Sequence, residues 1–355
     1  FNTSFQSHDR PDYEINENNL FRANALGNFR DLLGISAKSP AMLKYLNGVS
    51  NIAIEPNENY ARELMELHTM SVDGGYTQTD VEEVARAFTG WTIVSHAFSF
   101  DAANHDGAPK VVLGNNITAG GIDDGEQVLD ILATHPSTAG FICEKLVQLF
   151  VADDPPAALV SNCATTFLAT SSAPDQIKQL VTLILASPEF NAPATYHNKI
   201  KTPLEYTASA VRLLEGQGDL SDMSEATQRL GMAVFQNHIP TGFSELGVDW
   251  ISTNMIQERV RFVNDLTVNG VGGPYVYITP VAYFTALGHT TADAILGYLV
   301  QQGLADSVTE LEWQLAMDIL TDNGTTEFNI TAPDADAKLR SVIGTVLSYP
   351  AFNYQ

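Results

Sequence analysis

Five side chains in this sequence have types and spacing suited to acid–base work: His68, His105, Asp106, Lys110 and Glu63. A histidine can take a proton near neutrality, a lysine can stabilise developing negative charge, and an aspartate can orient an imidazole. Such a set would serve hydrolysis, with or without a metal ion. Asp101, His105, Asp106 and Lys110 fall within ten positions, while His68 sits on an otherwise apolar helical face. These five are the catalytic candidates, and the sequence specifies neither a cofactor nor a metal. A lone histidine on an apolar face is more often structural than catalytic, so the plainer reading has His68 bonded to a backbone carbonyl and the loop solvated.

Other patterns are weaker. Glu63 and Glu66 share a helical face, but a ferritin-like site needs Glu-x-x-His, and His68 follows Glu66 by two positions. Glu58, Arg62 and Glu66 at successive i,i+4 spacings describe a solvated ion-pair ladder instead. Glu63 lies between that ladder and the apolar side, within reach of Arg86 on the next helix. His-Glu-x-x-His, Cys-x-x-Cys, Gly-x-Ser-x-Gly and the glycine-rich phosphate loops do not occur. The acidic run GGIDDGE lacks the alternating oxygen ligands of a calcium loop, and Asp124 in it reads as a helix cap. The Gly-rich cluster at 270–274 reads as a turn. Trp91 and Trp250 are read as core residues in preference to stacking platforms.

The elements that must position these residues are mostly helical. Residues 57–70 read as an amphipathic helix with Tyr60, Ala61, Leu64, Met65, Leu67 and His68 on one side and Arg62, Glu63, Glu66 and Thr69 on the other. A buried imidazole needs a partner. The helix offers none, so the partner is expected from a β-hairpin at about 92–114, whose two β-rich runs flank the loop DAANHDGAPK. Helix starts are marked by Thr79-x-x-Glu82, Asp124-x-x-Gln127 and Thr202-Pro203-x-Glu205. Residues 269–289, rich in Gly, Pro and Tyr, read as a long irregular connection.

The chain also repeats itself. TAGFICEKLVQLFVAD from Thr138 and TADAILGYLVQQGLAD from Thr291 match at eight of sixteen positions, an offset of 153 (291 − 138). IKQLVTLILASPEFN and LRSVIGTVLSYPAFN follow at 162 (339 − 177). The expected organisation is an N-terminal helical region with the hairpin (1–135), a first three-helix repeat (136–200), a helical connector with an irregular loop (201–288) and a second repeat (289–355), the copies packing in one globule. The fold class is mainly α. Cys143 and Cys163 lie equally far from Asp153, opposite one another across a helix hairpin, which suits either a disulfide or two buried thiols.

With 18 basic and 42 acidic residues the chain carries −24, which excludes nonspecific nucleic-acid binding. Apolar runs such as LVTLILA are too short to span a bilayer. Charged residues are only 17% of the chain, so its acidity reflects scarce Lys and Arg on a surface rich in Asn, Thr, Ser and Gln, which suits an exported protein. The chain opens at Phe1 without a leader pattern, and the expectation is a processed or truncated piece.

From PNENYARELMELHTMSVDGGYTQTDVEEVARAFTGW onward, the sequence resembles the bacterial domain-of-unknown-function family 1800. HDGAPKVVLG, GEQVLDILATHPSTAGFICEKL, KTPLEY, PTGF, DWISTNMIQERVRF and LSYPAFNYQ extend the resemblance along essentially the whole chain. It implies export to the periplasm, cell surface or medium, a mostly helical fold, and no established activity. It also implies a second exported protein as partner, from a family resembling sulfatases and phosphatases. The functional expectation is a surface or assembly protein that binds a protein, a glycan or further copies of itself. The alternative is a hydrolytic or metal-assisted enzyme with its His/Asp/Lys centre between the 57–70 helix and the hairpin loop.

Overall fold

The computed structural model describes residues 1–8, 10–118, 120–268 and 275–355. It forms two compact units, Phe1–Thr195 with Phe235–Glu245, and Tyr196–Val234 with Leu246–Gln355. Each has its own apolar core. The chain is mainly α, as its periodicity requires.

The first unit opens with α1 (Pro11–Asn24), α2 (Phe29–Lys38) and α3 (Pro40–Tyr45). Each start has a local cause. Proline occupies the first turn of α1 and α3, Asn28 accepts from Arg30 N at 2.8 Å, and Ser39 Oγ accepts from Ala41 N at 3.2 Å. The 57–70 segment begins as α4 (Asn59–Glu63) and widens into a π turn over Leu64–Thr69, closed by Met70 N on Met65 O at 2.8 Å. The wider turn changes which residues face inward. Thr69, expected on the polar side, is fully buried, and its hydroxyl donates to Leu64 O at 2.7 Å; Leu67, expected inside, is half-buried.

Helix α5 (Gln78–Ala87) is capped by Thr77 and Asp80, not by Thr79 and Glu82, because Asp80 occupies the third position and returns a bond to Thr77 N at 2.9 Å. The β insertion consists of two hairpins. Strand β1 (Trp91–Val94) pairs with β2 (Ala97–Phe100), and β3 (Lys110–Val112) pairs with β4 (Asn115–Ile117), in separate antiparallel sheets. Both turn inside two residues at positive φ, Ser95 and His96 at 49° and 68°, Leu113 and Gly114 at 49° and 76°. The Ser-His turn lacks the usual Asn or Gly, so TIVSHAFSF reads as one strand where the chain makes two. Asp80 and Glu83 of α5 accept from Leu113 N at 2.7 Å and Val111 N at 2.9 Å, fixing the second hairpin on the helix.

Helix α6 (Ile122–Ala133) starts before the expected Asp124 cap. Gly125 on it lies against Trp91, where a Cβ would fall 2.5 Å from the indole, and Trp91 is a core residue at 1% exposure. Then come α7 (Pro136–Phe150), α8 (Ala157–Ala169) and α9 (Gln176–Leu185), the first repeat, with Cys143 and Cys163 joined in a disulfide across α7 and α8.

The second unit holds α10 (Pro203–Leu213), capped by Thr202 and Glu205 as the sequence indicates, α11 (Ser221–Arg229) and α12 (Thr253–Val268). Of the stretch read as irregular, 269–274, with the 270–274 turn cluster, lies outside the described residues. Its remainder contains α13 (Pro280–Ala286), started by proline in its first turn. The second repeat follows as α14 (Ala292–Leu304), α15 (Glu310–Thr321) and α16 (Ala335–Leu347). Each copy contributes three helices, and each buries its apolar face in the core of its own unit, so the duplication builds two cores and not one. Arg259 of α12 is 1% exposed; it donates to the carbonyls of Lys201 at 2.7 Å and Trp250 at 3.1 Å and to Asn353 at 3.0 Å, over the Tyr206 ring.

Candidate functional site

The structure gathers two of the predicted residues, His105 and Lys110, around one the sequence reading set aside. Asp124, in the first turn of α6, is 2% exposed. Its Oδ1 accepts from Gly120 N at 2.5 Å, and its Oδ2 lies 2.6 Å from Lys110 Nζ and 3.2 Å from His105 Nε2. Lys110 Nζ also donates to Ala108 O at 2.9 Å and to Asp106 O. His105 Nδ1 lies 2.8 Å from Thr89 O and 3.2 Å from Thr89 Oγ1, with its ring against Phe100. Gly90 permits this approach. Its φ is +81°, and a Cβ there would meet Asp101 O at 2.5 Å and His105 at 3.3 Å.

Asp124, His105 and the Thr89 hydroxyl follow the order of a carboxylate–imidazole–nucleophile relay. They are closed against that use. Thr89 is fully buried, and its hydroxyl already donates to Arg86 O at 2.7 Å and accepts from Asp106 N at 2.8 Å. Side-chain exposure is 4% for His105, 3% for Asp124 and 0% for Lys110. A buried network with every polar atom satisfied fixes one arrangement of loop and helix.

The other candidates lie apart from this network. Asp106 turns its carboxylate to Arg86 Nε at 2.7 Å, and that guanidinium holds it below the usual carboxylate range. Arg86 also meets Glu83 at 2.6 Å, so its described ion-pair partners do not include Glu63. Glu63 is half-buried; burial and the neighbouring Glu66 raise its pKa against the pull of Arg62. His68 is enclosed as expected, at 4% exposure, and burial pushes its imidazole well below its ordinary value. Its expected partner from the insertion is not there. His68 packs edge-on to Phe1 at 5.3 Å, its Nδ1 has no hydrogen-bond partner among the described residues, and Asp101, His105, Asp106 and Lys110 are bonded elsewhere. The described polar groups of the loop bond to its own backbone, to Arg86 and Thr89, and to Asp124 of α6.

A second polar neighbourhood, which the sequence reading missed, is a cleft of about 460 Å³ between α1 and α2, bordered by Tyr13, Asn16, Glu17, Ile35, Lys38 and His96. Glu14 and Glu17 of α1 are 3% and 4% exposed. Thr3 Oγ1 stands 2.7 Å from Glu14 Oε2 and 2.8 Å from Glu17 Oε2, and His8 Nε2 lies 3.0 Å from Glu14 Oε1. A hydroxyl carries one proton, so both Thr3 contacts are hydrogen bonds when one carboxyl is itself protonated. Burial assigns that proton to Glu17, raising it to about 7 even though the Ser39 and Thr3 hydroxyls ease its charge. Among the described residues its buried Oε1 has no hydrogen-bond partner. The cations beside the cleft are already paired: Arg30 with Glu126 at 2.7 Å and Asp130 at 2.6 Å, Lys38 with Glu126, and Arg10 with Asp12 at 2.7 Å, its Nη1 also 2.9 Å from His96. Nothing in the sequence marks this place beyond Glu14 and Glu17 sharing a face at i,i+3, since α1 is polar nearly all round.

Among the described residues no group of three or more His, Cys, Asp or Glu is disposed to hold a metal ion, and no helix is long and apolar enough to cross a membrane. Neither the curated proteins nor the solved structures give a match to the chain. The family described as "Protein of unknown function (DUF1800)" matches residues 1–354, and the chain belongs to that family.

Proposed function

We propose that the protein acts by binding, as an exported surface or assembly protein that engages a protein partner or a glycan. The observation that carries this reading is the contrast between the two polar neighbourhoods of the first unit. The hairpin network around Asp124 is enclosed and fully bonded, whereas the α1–α2 cleft is open and bordered by a buried oxygen with no partner. Pockets of a few hundred Å³ with a few convergent polar groups are the usual form of a binding site. The hydrolytic or metal-assisted alternative, centred on His68, His105, Asp106 and Lys110, would need the hairpins to lift from α6 to free a reactive atom.

The test is to titrate the purified protein with neutral oligosaccharides and with the second exported protein expected as its partner, while assaying ester, phosphate and glycoside hydrolysis. Saturable binding without turnover supports the reading. Turnover that disappears on His105→Ala would overturn it in favour of the enzyme. Export is tested separately by fractionating the producing cells, and retention in the cytoplasm would remove that part.

A further inference from the structure

We propose that the α1–α2 cleft binds a neutral, hydroxyl-rich ligand, a saccharide, with Glu17 accepting a ligand hydroxyl through Oε1. The inference rests on the binding reading above and names its site and ligand class.

Three observations converge. First, Glu17 borders the cleft, is 4% exposed, and leaves Oε1 unpartnered while Oε2 is fixed on Thr3 at 2.8 Å. A buried acceptor without a donor is costly, and a ligand hydroxyl would satisfy it. Second, the Thr3 bridge needs a proton on one of the two carboxyls, and burial keeps it on Glu17 below about pH 7, so at pH 6 Glu17 meets its ligand as a neutral acid. Neutral Glu17 offers no counter-charge to an ammonium group, and Asp31, the other carboxylate lining the cleft, is exposed and screened by water. Third, those cations are engaged by Glu126, Asp130 and Asp12, which leaves little attraction for a phosphate or sulfate. A neutral ligand remains. Leu20 and Ile35 supply aliphatic surface for the C–H faces of a sugar, and Asn16 and Ser39 supply further hydrogen-bonding groups.

The groups around Glu17 come from every neighbouring segment: Glu14 on its own helix, with His8 bonded to it, Thr3 and the Phe1 α-amino group from the preceding segment, Ser39 between α2 and α3, and Lys38 of α2 across the cleft. A glutamine at 17 keeps an acceptor for the ligand and offers an N–H to Thr3, reproducing the protonated acid.

The experiment is calorimetric titration of the full chain with maltohexaose, cellohexaose and chitohexaose at pH 6 and pH 8, using wild type, Glu17→Gln, Glu17→Ala and Asn16→Leu. Asn16 is exposed, so its substitution fills the cleft without removing a core side chain. At least one hexasaccharide should bind saturably. Glu17→Gln should bind within threefold of wild type, while Glu17→Ala and Asn16→Leu should weaken binding tenfold or more. If Glu17→Ala unfolds the protein, Asn16→Leu against Glu17→Gln decides the matter alone. Hexasaccharide binding that ignores Asn16→Leu overturns the cleft and leaves the binding reading standing. Loss of binding in Glu17→Gln assigns recognition to a carboxylate and overturns the neutral-acid claim. Binding of none of the three overturns the saccharide class, and the binding reading is then judged on the partner protein.

Discussion

Lys110 Nζ lies 2.6 Å from Asp124 Oδ2, with the two side chains 0% and 3% exposed. This buried ion pair ties the start of β3 to the first turn of α6, and it uses two residues whose types alone suggest catalysis. Lys110→Met leaves the buried Asp124 carboxylate with only His105 and the Gly120 N–H as partners, and should cost about 3 kcal/mol or more. The double variant Lys110→Met/Asp124→Leu should recover part of that loss. Urea unfolding of the three proteins checks this, and a single variant as stable as wild type would show that the pair holds nothing.

The Cys143–Cys163 bond closes a loop with a sequence separation of 20 across the first repeat. Cross-linking a loop of that length stabilises by about 3 kcal/mol, mainly by restricting the unfolded chain. Replacing both cysteines by serine, or reducing the protein, should lower the unfolding midpoint accordingly. The second repeat has Leu296 and Ala316 at the equivalent positions, so its core should not respond to reductant.

Glu17 predicts an unusual pH dependence. Its folded pKa is raised from 4.5 to about 7, so the folded state holds the proton more tightly than the unfolded state. The contribution is fully present below pH 4.5 and is lost as pH rises through about 7, a difference of about 3 kcal/mol. Glu17→Gln should flatten this part of the stability profile and be the more stable protein at pH 8. Equal stability of variant and wild type from pH 4 to 8 would contradict the assignment.

Lys201, in the second unit, behaves in the opposite sense. Burial beside Arg259 lowers its pKa from 10.5 to about 8, although its amine donates to Phe352 O at 2.9 Å and lies over that ring. The charged amine is therefore a cost below pH 8, and the second unit should gain about 3 kcal/mol as pH rises from about 8 to 10.5. Lys201→Met should remove this rise. Thermal unfolding across that range, followed at a tryptophan of the second unit, measures it.

The helical class, the repeat and the Thr202–Glu205 cap were legible because each depends on local pattern: apolar spacing, self-similarity and short-range capping chemistry. Two features defeated pattern alone. The π turn at Leu64–Thr69 changes the helical period, so residues assigned by a 3.6-residue repeat, Thr69 above all, fall on the wrong face. The Ser95–His96 turn bends a run that alternates like a single strand. His105, Asp106 and Lys110 lie close together in the sequence, yet their side-chain partners, Asp124 and Arg86, come from elements the loop sequence does not reveal. The Glu14–Thr3–Glu17 bridge was invisible for the same reason, because Thr3 and Glu17 meet across |i−j| = 14 and nothing in a polar helix announces that two of its glutamates are buried.

Glu17 keeps its proton well above the ordinary glutamate range, up to about pH 7, beside an open cleft. Carbon-13 chemical shifts of the glutamate carboxyls, titrated from pH 3 to 9 and assigned by the Glu17→Gln spectrum, read it directly. One carboxyl should titrate at about 7 and be missing from the variant. A Glu17 carboxyl titrating near its ordinary 4.5 would contradict it.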